Sequence, residues 1–501
     1  MPKKTISTDA AEGGKKTKGK TLQEKLCISL KTCWDGLSAE EARRCQDFAD
    51  DYKRFLDRGK TERECAALCA ARLEKAGFVN LDTLPPKKRL GAGDRVYRSV
   101  RGKSILAAVI GKAPPARGLN ILGAHIDSPR IDLKTNPLYE DSDLAFLDTH
   151  YYGGIKHYQW TAIPLALHGL IIDKAGKPHP ITVGEEPGDP VFTITDLLPH
   201  LARDQMAKKA SEFIDGEGLD ILAGSRPFSE GDRGKDDKLK DRVKLFCLNL
   251  LHDAYGITEE DFASGEIEFV PAFRASDLGF DRSMVGAYGQ DDRSCAFAAL
   301  HALLETAGPA KKAAPPARTI LCYLSDKEEI GSMGNTGAES RAFENFIADL
   351  CELTESDCGP RLVRDALARS AMLSADVNAA YDPTHSDVFD KKTSSFFGKG
   401  LALSKFTGRG GKYGGSEANA EFYRRVQLIL NDNKVQWQFG ELGKVDKGGG
   451  GTIAQHAANL GIEVLDCGIP VLSMHSPFEV ISKVDLYTAF RGYKAFLQEC
   501  R

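Results

Sequence analysis

Glu328 and Glu329 stand side by side just beyond an apolar run, Thr319-Ile320-Leu321-Cys322-Tyr323-Leu324. Such a run reads as a buried strand, and acids at its C-terminal end occupy the place where α/β proteins put their chemistry. Neighbouring carboxylates repel one another, so burying them calls for a cation, a proton or solvent. A metal ion is the natural candidate, and a solvated strand-to-loop turn is the plain alternative. Other residues fit the same description. His125 closes the apolar run 119–124, and Asp127, two positions on, falls on the same face of an extended chain, where it can orient the imidazole. Asp291 lies in a polar turn that opens a helical run, Asp376 follows the apolar 371–375, and His475 follows 468–474. Two histidines and three carboxylates suit a pair of zinc ions sharing one carboxylate, with a further acid left over as a base. Spacing alone does not say which acid bridges.

These residues need a scaffold that brings several strand ends together. Ser38-Ala39-Glu40-Glu41 and Thr61-Glu62-Arg63-Glu64 both match a capping box, so two helices are expected over residues 38–76. Paired strands are expected over 95–110, further strands at 119–124 and 319–324, helical material over 341–353, and a closing helix over 484–498. Between 148 and 272 the character changes to short apolar strands, turns and an aromatic stretch, with a charged loop at 229–241. The expected layout is α/β: a mixed β-sheet flanked by helices, built from residues 23–147 and 273–501, with a mostly-β unit inserted at 148–272. The glycines in Asp446-Lys447-Gly448-Gly449-Gly450-Gly451-Thr452 lack P-loop spacing.

A chain of 501 residues has room for two or more cores. Its net charge of -4 lacks the basic excess of a nucleic-acid binder, and no run approaches a membrane span. The twelve cysteines form no CxxC pair and lie mostly in apolar or helical segments, which points to reduced thiols and a cytoplasmic protein. Residues 1–22 read as a disordered tail without a signal-peptide core.

Five stretches together resemble the aspartyl aminopeptidase family of metallopeptidases: Gly123-Ala124-His125-Ile126-Asp127-Ser128-Pro129, Gly289-Gln290-Asp291-Asp292-Arg293, Asp326-Lys327-Glu328-Glu329-Ile330-Gly331-Ser332, Ser374-Ala375-Asp376-Val377 and Met474-His475-Ser476-Pro477. They occur in the family's order, and Thr149-His150-Tyr151-Tyr152-Gly153-Gly154-Ile155-Lys156 is similar to its bacterial branch. The resemblance implies one zinc held by His125, Asp291 and Asp376, and a second by Asp291, Glu329 and His475. Manganese and cobalt suit the same ligands. It assigns Asp127 to orienting its neighbouring ligand and Glu328 to the general base, and it implies a cis peptide between Asp291 and Asp292. It implies that the insertion is a dimerisation domain and that dimers build a tetrahedral dodecamer acting on peptides. His200 resembles a residue that reaches a neighbouring subunit's site, although Asp204 stands where some relatives carry a second histidine. Lys405 and Tyr413 resemble contacts to an acidic substrate side chain. The alternatives are a related metallo-deacylase or carboxypeptidase, and a metal-stabilised assembly or cargo-binding protein without turnover.

Overall fold

Residues 104–109, 119–125 and 319–325 are buried at every position, so these segments have no polar face and belong inside a sheet covered on both sides. The computed structural model, which describes residues 18–231, 238–309 and 314–501, puts them at the centre of a nine-stranded mixed sheet. Its order is Val79–Asn80, Arg95–Val100, Ser104–Val109, Thr319–Ser325, Leu119–His125, Ala371–Ser374, Glu463–Gly468, Leu401–Ser404 and Trp437–Phe439. Thr319–Ser325, Leu119–His125 and Ala371–Ser374 are parallel neighbours. Their C-terminal ends therefore leave one edge of the sheet together, carrying the Glu328-Glu329 turn, His125 and Asp376.

Strand alternation sends successive side chains into two separate cores. Leu122, Ala124, Cys322 and Leu324 pack on one face with Phe55, Phe297 and Phe496, which come from helices Ala39–Arg58, Gln290–Ala307 and Lys483–Glu499. Ile121, Leu321 and Tyr323 pack on the other face with Phe346 and Ala457. Both expected capping boxes form, at Ser38 and Thr61, opening helices Ala39–Arg58 and Glu62–Lys75. The twelve cysteines are all free thiols.

A second, seven-stranded antiparallel sheet has its own core around the fully buried Trp160. It begins at Arg130, not at residue 148: Arg130–Asp141 pairs with Leu144–Tyr152 as a hairpin inside this sheet. The hairpin's first strand mixes buried and exposed residues where Leu119–His125 is buried throughout, but only four residues separate the two strands, so no turn-rich or aromatic stretch marks where the second sheet starts. The unit also contains helix Arg242–Tyr255. Of the expected tail, residues 1–17 lie outside the described residues and 18–22 open the helix Lys18–Leu26. Residues 232–237 of the charged loop also lie outside them. Among the described residues no helix is long and apolar enough to cross a membrane.

Candidate active site

Each expected metal ligand sits at an element end. His125 is the last residue of its strand, Asp291 lies in the first turn of Gln290–Ala307 where the backbone is not yet helical, and Glu329 lies in a short 3-10 turn, Glu328–Ile330. The Asp291-Asp292 peptide is cis. Asp376 and His475 follow the strands Ala371–Ser374 and Pro470–Leu472. Gly468 is what lets its strand pass behind Asp376, since a Cβ there would fall 1.5 Å from the Asp376 carbonyl oxygen.

The structure brings the five expected ligands together as two overlapping groups that could hold a metal ion, His125/Asp291/Asp376 and Asp291/Glu329/His475, with the candidate ligand atoms in each group within 4.8 Å of one another. Asp291 belongs to both. Its Oδ1 lies 3.2 Å from His125 Nε2, and its Oδ2 lies 3.2 Å from His475 Nε2. His475 Nδ1 faces the Gly154 carbonyl oxygen at 2.8 Å, while His125 Nδ1 faces the backbone and side-chain oxygens of Asp127 at 3.2 and 3.3 Å. Because those neighbours are acceptors, each Nδ1 carries the hydrogen, and each Nε2 turns its lone pair toward carboxylates. That confrontation is stable only with a proton or a cation between the partners.

The electrostatics carry the same demand. Burial pushes Glu329 and Asp376 well above the usual carboxylate range, with other acids of the cluster reinforcing it and the histidines opposing it. Burial disfavours a charged His475, yet Glu329 and Asp291 push it up to about 11, and His125 is raised by Asp127 and Asp291. Asp291 Oδ1 and Glu329 Oε1 are buried without an aligned hydrogen-bond donor. Two imidazole nitrogens and orphaned carboxylate oxygens make a donor set that fits zinc.

Glu328 belongs to neither group. Its Oε2 lies 3.8 Å from His125 Nε2, and burial pushes its carboxyl up to about 7, with His125 opposing and Asp127 and Asp291 reinforcing. It lines a cavity of about 630 Å³ together with Asp291, Glu329, Asp376 and His475. Tyr413 lines this cavity, as do the cations Arg409, Lys412 and Lys444. Lys405 is exposed and lies between the lining residues Ser404 and Phe406 without being one of them. His200 is exposed on the inserted unit, outside both ligand groups.

Three supporting residues escaped the sequence reading. Glu479, fully buried in a strand, accepts the backbone N–H groups of His475 at 2.7 Å and Asp291 at 3.1 Å, which ties the two ends of the second group together. Asp292 accepts the His125 backbone N–H at 3.2 Å, and Tyr152 donates its hydroxyl to Asp127 at 2.8 Å. The signal for Glu479 was a lone acid heading an otherwise apolar strand, Glu479–Ser482.

Residues 55–497 match the family model described as Aminopeptidase I zinc metalloprotease (M18). The chain belongs to the M18 aminopeptidase family. The probable M18 family aminopeptidase 1 of Clostridium acetobutylicum is 48% identical over 473 residues, covering 94% of this chain and 99% of that protein. The crystal structure of an M18 aminopeptidase from Thermotoga maritima superposes with a TM-score of 0.87 at 42% identity, covering 94% of this chain and 99% of that one. Aminopeptidase I from C. acetobutylicum gives 0.85 at 44%, covering 95% and 100%. The S. cerevisiae mApe1 dodecamer, 21% identical over 90% of this chain and 97% of that one, shares the fold at a TM-score of 0.72. Membership makes the protein a metal-dependent aminopeptidase of the zinc M18 type, a peptide-bond hydrolase.

Proposed function

We propose that the enzyme is a dinuclear zinc aminopeptidase that removes N-terminal residues, acidic ones by preference, from peptides. The observation that carries this reading is that two three-residue ligand groups share Asp291 while Glu328, facing the same cavity, belongs to neither. One ion would be held by His125, Asp291 and Asp376, the other by Asp291, Glu329 and His475, and manganese or cobalt would suit the same donors. Bound zinc supplies Lewis acidity, drawing electron density from water and from the scissile carbonyl. Glu328 takes the proton of the attacking water on its carboxylate and returns it to the leaving amine. Asp127 holds His125 and the backbone of the Glu328-Glu329 turn, so ligand and base keep their relative positions. Glu479 does the same for His475 and Asp291.

The acidic preference is supported by Arg409, Lys412 and Lys444 on the cavity wall, with Tyr413 on the same wall and the exposed Lys405 next in sequence to the lining residues Ser404 and Phe406. Assembly into a homo-oligomer built from dimers is supported by exposed apolar residues on the inserted unit, Leu197, Leu198, Leu201 and Met206 around His200. In this reading the inserted unit is the dimerisation domain, and His200 reaches a neighbouring subunit's cavity. A dodecamer is the form of the S. cerevisiae relative and is the assembly proposed here. Twelve unpaired thiols suit a cytoplasmic location.

Glu328→Gln tests the mechanism. The variant is expected to keep its metal and its assembly and to lose nearly all peptidase activity. Near-wild-type turnover by metal-replete variant protein would refute the base assignment.

A further inference from the structure

The strand Leu144–Tyr152 of the inserted sheet ends against the metal ligands, and the three residues 152, 153 and 154 touch the site one after another. The Tyr152 hydroxyl donates to Asp127 Oδ2 at 2.8 Å. Gly153, at φ +76°, passes so close to the ligand turn that a Cβ there would lie 3.4 Å from Glu329 Cβ and 3.3 Å from Pro129. The Gly154 carbonyl oxygen accepts from His475 Nδ1 at 2.8 Å.

Asp127 is the junction that gives the first of these contacts its reach. It is fully buried, and its Oδ1 accepts the Glu328 N–H at 3.1 Å and faces His125 Nδ1 at 3.3 Å. Its Oδ2 accepts the Glu329 N–H at 3.2 Å beside the Tyr152 hydroxyl. One carboxylate thus fixes a ligand of the first group, the backbone of a ligand of the second, and the backbone of the base. Burial opposes its ionisation, but His125, Tyr152 and Arg130 hold it below the usual carboxylate range. Burial and the facing Asp127 charge keep the Tyr152 phenol well above its ordinary range, so its hydroxyl remains a donor. The ring itself is clamped. Arg130, the register partner of Tyr152 in the hairpin, sets its guanidinium 3.9 Å from the ring centroid while paired to Asp132 at 2.8 Å and Glu268 at 3.0 Å.

We infer that Tyr152 is a positioning residue for the peptidase reaction, acting through Asp127, and that residues 152–154 of the inserted unit brace both halves of the metal centre. The inserted sheet is therefore part of the site's construction. Fixing Asp127 narrows the orientations open to His125 and to the Glu328-Glu329 turn, and accepting from His475 Nδ1 fixes the tautomer that leaves Nε2 for the ligand position. The inference rests on the dinuclear reading, and its test separates the two.

The test is Tyr152→Phe, which keeps the ring beneath Arg130 and removes only the donor. Zinc affinity, measured by competition with a chromophoric chelator, is expected to fall about 10-fold or more. With zinc saturating, kcat is expected to fall by a similar factor while KM stays within about threefold and circular dichroism is unchanged. The decisive comparison is the same substitution made in Asp127→Ala, where it should change zinc affinity by less than about twofold, because the acceptor through which Tyr152 acts is gone. Wild-type zinc affinity and kcat in Tyr152→Phe, an undiminished effect in Asp127→Ala, or a loss matched by lost folded protein would each overturn the proposal. Wild-type protein that binds fewer than two zinc ions would instead overturn the dinuclear reading, whatever Tyr152→Phe does.

Discussion

Asp127 Oδ1 accepts the backbone N–H of Glu328 at 3.1 Å, so the proposed base is held through its main chain, which leaves its carboxylate free to face the cavity. Asp127→Asn places an amide NH2 where a carboxylate oxygen accepts, and one of the donors Glu328 N, Glu329 N or Tyr152 OH then meets another donor. The expected outcome is a loss of about 10–100-fold in kcat with the fold intact. Steady-state kinetics on zinc-saturated protein, beside circular dichroism, measure it. A variant within twofold of wild type would show that the turn holds itself in place.

Metal removal should expose the cost of collecting so many carboxylates. Glu329 and Asp376 are partly buried, and the desolvation of their carboxyls pushes both well above their ordinary range, while Asp291 sits between two imidazoles. Taking away the cations leaves only protons to balance the cluster. Dialysis against a chelator is therefore expected to abolish activity and lower the unfolding temperature, with zinc restoring both. Since ligand binding of a metal releases protons, the temperature gap between loaded and stripped protein should widen as pH rises. An unchanged melting curve on stripping would count against a buried metal pair.

The proposed ligands stand out in the sequence because each closes an apolar run or opens a helix: His125 ends Leu119–His125, and Glu329 follows Thr319–Ser325. The helices at Ser38 and Thr61 were legible because a capping box is a local device. What lay hidden is what depends on pairing at a distance. Tyr152 touches Asp127 only because the hairpin 130–152 folds into the second sheet, and nothing within three or four residues of either one encodes that meeting. The start of the second sheet at Arg130, ahead of the expected boundary at residue 148, depends on the same distant pairing. Glu479 reaches Asp291 across 188 positions of sequence.

The proposed acidic preference can be tested residue by residue. Arg409 lines the cavity and shows no carboxylate within ion-pair distance among the described residues, whereas Lys412 is paired to Glu417 at 3.1 Å and Lys444 Nζ donates to the Asp387 carbonyl oxygen. Arg409 is thus the cation with most freedom to meet an acidic side chain. Arg409→Gln is expected to lower kcat/KM for Asp- and Glu-initiated peptides by about 10-fold, the worth of one charge-assisted contact, and to leave Leu-initiated peptides unchanged. Lys405→Gln, outside the lining, should have the smaller effect. Equal losses across all peptides would assign Arg409 to loop structure, and a larger loss for Lys405→Gln would move the contact to Lys405.

Outside both ligand groups, Asp485 offers a prediction about stability. It is fully buried in the first turn of Lys483–Glu499, where its two oxygens accept the N–H groups of Gly398 at 2.7 Å and Gly400 at 2.8 Å. Burial outweighs those donors and pushes its carboxyl from 3.8 up to about 7. A carboxyl whose folded value is raised binds its proton more tightly in the native state, so it is neutral to stability below about 4, costs stability progressively up to about 7, and costs a constant amount above that. Asp485→Asn removes the titration and exchanges one accepting oxygen for a donor, a loss independent of pH. The difference in unfolding free energy between variant and wild type should therefore shift in the variant's favour between about pH 4 and 7, by roughly 1.4 kcal/mol per pH unit at its steepest, and then level off. Denaturant melts of both proteins across that range measure it. A difference that stays flat, or that moves toward the wild type as pH rises, would mean that the two glycine N–H groups hold Asp485 ionised.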